Sequence, residues 1–106
     1  MSYELVEKIA GLASRLTSVI TVQTDNRQKA TLMELQDRLT KLTLATIVLE
    51  LKADQAEYRM AIKGLNEAIE YMDQIPGKIS PITKSIRVVT RAVQLTEKVV
   101  KSVAPV

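Results

Sequence analysis

The sequence predicts an all-α fold, an antiparallel helical bundle, and three observations predict it. Turn-forming residues are scarce: three Gly and three Pro in 106 residues, concentrated only in IPGKISP at 75–81. Apolar residues recur at alternating steps of three and four, the period of an amphipathic helix. The core must also be slim. There is no Phe and no Trp, and the aromatics are Tyr3, Tyr58 and Tyr71. Leu, Ile, Val, Ala and Met have to fill the interior, and such side chains suit close helix–helix packing. Hydrophobic content of 46% and charged content of 25% belong to a folded chain rather than a disordered one. The length suffices for a single helical domain, 1–106, around one core.

The first helix is expected over about Ser2 to Gln23, with Leu5, Ile9, Leu12, Leu16 and Val19 on one face. A turn follows at Thr24–Asn26, where Asp25 or Asn26 can cap the next helix. The last helix is expected over about Pro81 to Val103, opened by a Ser80 cap and by Pro81 at the first helical position. Ile82, Ile86, Val89, Val93, Val100 and Val103 keep its rhythm. Its β-branched content makes a strand the competing reading, and the sustained period decides for helix.

The middle block, about Arg27 to Gln74, contains no Pro and only Gly64. It carries two apolar stripes. One runs Leu32, Leu35, Leu39, Leu42, Thr46, Leu49, Ala53, Ala56, Met60; the other runs Leu44, Leu51, Tyr58, Leu65, Met72, with Ile62 and Ile69 beside it. They overlap in LTLATIVLEL, Leu42 to Leu51, which is apolar almost all round and so has to be buried all round. Two architectures satisfy this. In one, the central helix is continuous over about 27–74, roughly 70 Å long, and three helices per chain close a core only in a homodimer. In the other, the chain breaks near 52–55 and four helices form a monomeric bundle. ELKADQAEYR holds good helix formers and no turn chemistry, which favours the long helix and the dimer. The expected oligomer interface is Leu42, Leu44, Ile47, Val48, Leu49 and Leu51.

The parts of an enzyme are few. With no His and no Cys, the commonest general base, the commonest metal ligand and the thiol nucleophile are all missing. Glu50, Asp54 and Glu57 share a helix face, as do Glu67, Glu70 and Asp73, but di-metal bundles of this kind also draw on Glu-x-x-His pairs. These carboxylates are expected on solvated faces, with Lys63–Glu67 as an i,i+4 pair. There is no Gly-rich phosphate loop and no Gly-x-Ser-x-Gly elbow. The expectation is a protein without catalytic residues, cofactor or metal. No apolar run approaches the roughly 20 residues of a membrane span, and the acidic start MSYELVEK does not resemble a Sec signal. The expected location is the cytoplasm; a Sec-independent secretion route is compatible with the same sequence.

Two faces carry partner chemistry. Ser14, Thr17, Thr21 and Thr24 form a hydroxyl stripe in a stretch whose only charge is Arg15. It reads equally as a face covered by a partner or as a mildly polar solvent face. The second is basic. Residues 76–106 hold six bases against Glu97, so the chain's net charge of +3 comes from its tail. Lys84, Arg87, Arg91, Lys98 and Lys101 fall within an arc of about 100° on a helical wheel, opposite an apolar half. The leading reading is a packing helix whose charges are solvated or paired to acids of the middle block. An anionic membrane surface and nucleic acid are the other readings, and they make Lys84, Arg87, Arg91, Lys98 and Lys101 the candidate anion-binding residues. The function expected is therefore a helical interaction and assembly protein that self-associates through apolar helix faces, the homodimer being the first partner and another protein the second. The alternative is a polyanion-binding module.

Overall fold

The computed structural model describes residues 3–48, 55–74 and 82–103. It is all-α: α1 is Tyr3–Val22, α2 Asn26–Val48, α3 Ala56–Gln74 and α4 Ile82–Val103, and the described residues contain no strand. The β-branched tail is thus helical, as its period requires. α4 begins one residue after Pro81; the IPGKISP loop itself lies outside the described residues.

The turn between α1 and α2 is built as its residues suggest. Asp25 Oδ1 accepts hydrogen bonds from the backbone N–H of Arg27 at 2.9 Å and of Gln28 at 3.0 Å. This satisfies two donors that the first turn of α2 would otherwise leave unpaired.

Packing joins α1 to α2, α3 to α4, α1 to α3 and α2 to α4. The chain is therefore two hairpins laid side by side, with α2 and α3 on diagonal corners although they are successive in sequence. α1 and α3 run the same way: Gly11 lies against Ile69, and Arg15 against Asp73. α4 runs against α3, since Gly64 meets Leu95 and Lys84 lies over Tyr71.

Of the two architectures the sequence allows, the chain adopts the four-helix one. A continuous helix over 27–74 would be about 70 Å long, and the molecule's longest extent is 40 Å. The two stripes of the middle block belong to different helices. The first is buried as far as Leu42 and Thr46, and its continuation at Ala56 and Met60 is exposed. The second is exposed at Leu44 and buried from Tyr58 through Leu65. The break expected near 52–55 falls between Val48 and Ala56, where residues 49–54 lie outside the described residues.

The core is one cluster drawn from all four helices. Leu5, Ile9, Leu12 and Leu16 come from α1, Leu32, Leu35 and Leu39 from α2, Tyr58 and Leu65 from α3, and Val89, Val93 and Val99 from α4. Four helices close this core within one chain, so core closure does not require a second copy. Thr46 and Thr96 are also buried, and their hydroxyls donate to the carbonyls of Thr43 at 3.0 Å and Ala92 at 2.8 Å, which removes the cost of an unpaired hydroxyl.

Two ion pairs join the hairpins. Arg15 of α1 donates to Asp73 of α3 through Nε at 2.7 Å and Nη2 at 3.1 Å. Arg38 of α2 donates to Glu97 of α4 through Nη2 at 2.6 Å and Nε at 3.0 Å. Both are two-pronged, the geometry in which a guanidinium holds a carboxylate best.

Candidate functional site

α4 presents its charges as a row because its exposed positions keep helical time. Lys84, Arg87, Arg91, Gln94, Lys98 and Lys101 are all exposed, at steps of three and four. Ser85, Val89, Ala92, Val93, Thr96 and Val99 on the other side are buried. Seventeen residues at 1.5 Å each make the row about 25 Å long. All five predicted cations lie in it, and the only interruption is Gln94.

Of the two expectations for these charges, solvated or paired to acids of the middle block, the geometry matches the solvated one. Among the described residues none of the five makes an ion pair; the pairs are Arg15–Asp73, Arg38–Glu97 and Lys41–Asp37. The expected Lys63–Glu67 pair is likewise not closed, because two exposed, flexible side chains gain little over hydration by meeting. Glu97, the one acid of the tail, is turned sideways to α2. Hydrogen bonds from Arg38 hold its carboxyl below the usual carboxylate range, with help from the charges of Arg38 and Lys101, while burial works the other way. Lys84 Nζ lies 5.1 Å from the centre of the Tyr71 ring, a cation–π contact that leaves its charge in place. Arg91 borders a cleft of about 110 Å³ between α3 and α4, with Lys63 and Glu67 on the opposite rim and Met60, Gly64 and Leu95 as its apolar lining.

The second candidate surface is the end of α2. Leu44, Ile47 and Val48 are 65%, 55% and 78% exposed. The prediction that LTLATIVLEL is buried all round therefore fails within the single chain. Among the described residues α2 packs chiefly against α1 and α4, which leaves these three side chains on its outward side. Leu42, expected at the same interface, is 6% exposed and part of the core. Leu49 and Leu51 lie outside the described residues.

The hydroxyl stripe is exposed at Ser14, Thr17, Thr21 and Thr24. Thr21 donates to the Thr17 carbonyl at 2.8 Å, and Thr17 to Ala13 at 3.4 Å. Gln36 of α2 reaches over the same turn, donating to Thr17 Oγ1 at 2.6 Å and the Ala13 carbonyl at 2.9 Å. Part of the stripe is thus covered by the chain's own second helix.

Of the carboxylates, Glu67, Glu70 and Asp73 are exposed and Asp73 is bound to Arg15; Glu50 and Asp54 lie outside the described residues. The described residues contain no cluster of three or more metal-ligating side chains. No helix among them is long and apolar enough to cross a membrane.

Arg15 and Arg38 were not singled out by spacing. The available signal was their position beside the core stripes, next to Leu16 and to Leu35 and Leu39, where charged side chains bridge neighbouring helices. No protein-family model, curated protein or solved structure matches the chain.

Proposed function

We propose that the chain is a helical interaction and assembly protein that self-associates through the outer face at the end of α2. The supporting observation is the exposure of Leu44, Ile47 and Val48 within two turns of one helix, in a bundle whose other described leucines are buried or, at Leu95, half-buried. Large aliphatic side chains held together in water mark contact surfaces. A second copy is the simplest occupant, because a two-fold interface needs only one surface, which meets itself. Four helices close the core within one chain, so this patch alone favours a dimer.

Sedimentation or light scattering at about 10 µM tests it. The wild type is expected as a dimer and Leu44→Asp/Val48→Asp as a folded monomer, since neither side chain contributes to the bundle core. A wild type that is already monomeric, or a doubly substituted chain that still dimerises, would sink the proposal.

A further inference from the structure

The row on α4 goes beyond self-association. We infer that Lys84, Arg87, Arg91, Lys98 and Lys101 form a binding edge for the phosphate backbone of a double-stranded nucleic acid.

Three observations favour a duplex over other polyanions. First, the cations are free to engage: among the described residues none is in an ion pair, and Glu97, the one acid of α4, is held by Arg38. Second, they are fixed in a line. The rigid core behind them spaces five charges over about 25 Å, the length of about seven base pairs at 3.4 Å each. Third, the edge lacks what the competing surfaces need. A bilayer takes up the apolar face of an amphipathic helix, and here Val89, Ala92, Val93 and Val99 are fully buried in the bundle. The row contains no aromatic side chain on which single-stranded bases could stack: Tyr58 is buried and Tyr71 is half-buried beneath Lys84. Ammonium and guanidinium groups along a straight edge match closely spaced phosphates, and binding of this kind does not depend on base sequence.

The physics sets the size of the effect. Each phosphate neutralised on a duplex contributes about −0.9 to the slope of log affinity against log salt, so five contacts give a slope of about −4.5. Filling the gap in the row should steepen it. Gln94→Lys, which exchanges two good helix formers, is expected to tighten binding and change the slope by about −0.9. Arg87→Gln/Arg91→Gln is expected to flatten the slope by about 1.8 and weaken binding about tenfold or more at low salt. Ser14→Glu/Ser18→Glu makes the same change in net charge on exposed positions of α1, at the corner diagonal to α4, and should alter affinity by no more than about twofold.

The experiment is fluorescence anisotropy on the full chain, between about 20 and 200 mM salt. Its probes are a 20-base-pair DNA duplex of arbitrary sequence, the RNA duplex of the same sequence, one single strand of each, and vesicles of phosphatidylserine and phosphatidylcholine. Circular dichroism confirms that each variant is folded. Both duplexes should bind, more tightly than the single strands or the vesicles, with the variants ordered as above. Absence of duplex binding at the lowest salt overturns the inference. So does tighter binding to single strands or vesicles, or an equal loss in the arginine and serine variants, which would assign the attraction to net charge alone.

Discussion

Arg38 and Glu97, 59 residues apart in sequence, are joined by two hydrogen bonds of 2.6 and 3.0 Å between α2 and α4. With Arg15–Asp73 on the other side, they tie one hairpin to the other through polar groups at the rim of an aliphatic core. The pair also engages Glu97, the one acid that α4 carries.

This pair should make stability depend on pH. The Glu97 carboxyl is held below its usual range by Arg38, so its contribution is present above the unfolded carboxylate value of about 4 and is lost as pH falls through the lower folded value. Glu97→Gln is expected to destabilise the fold by about 1 kcal/mol at pH 7, a figure near the top of the range for partly exposed pairs because the contact is two-pronged. The difference from wild type should shrink below pH 4. Urea titrations at pH 7 and pH 3 measure it, and a difference that does not change between them contradicts the assignment.

Two leucines two residues apart should behave in opposite ways. Leu42→Ala removes a buried side chain and is expected to cost about 2–5 kcal/mol. Leu44→Ala, at 65% exposure, should change the stability of the monomer by less than about 0.5 kcal/mol. Denaturation at sub-micromolar concentration keeps association out of the comparison. Similar losses at both positions would mean that the outward face of α2 is assigned to the wrong residues.

Gly64 sets how closely α3 and α4 approach. A Cβ there would stand 2.8 Å from Leu95 Cδ1 and 3.6 Å from the Ala92 backbone. The nearer atom is the tip of a half-buried side chain beside an open cleft, so it can turn away. Gly64→Ala is therefore expected to be neutral or to stabilise by up to about 1 kcal/mol through helix propensity. Gly64→Leu has no such room and should cost about 1–3 kcal/mol. Thermal melts of the two variants distinguish close packing from mere tolerance.

The Asp25 cap is local and should act locally. Asp25→Ala leaves the N–H groups of Arg27 and Gln28 without their acceptor and is expected to cost about 1 kcal/mol, with Asp25→Asn restoring most of it. Hydrogen exchange in the first turn of α2 should speed up in the alanine variant more than in the middle of the helix.

What the sequence determined by itself is what depends on near neighbours along the chain. Steps of three and four place Leu5, Ile9, Leu12 and Leu16 inward and Lys84, Arg87, Arg91, Lys98 and Lys101 outward, because a helix carries its period within a few turns. Asp25 caps α2 because it precedes that helix. The tertiary structure decided the rest. No turn residue marks the end of α2 at Val48, and good helix formers run past it; the helix ends because the two stripes on either side can be buried together only if the chain folds back. Which corner each helix occupies then fixes which side of α2 faces the other described helices, and so covers Leu42 while leaving Leu44, Ile47 and Val48 exposed. The same corner order brings Arg38 to Glu97 and Arg15 to Asp73. These contacts depend on the rotation and order of whole helices, which the spacing of residues within any one helix does not contain.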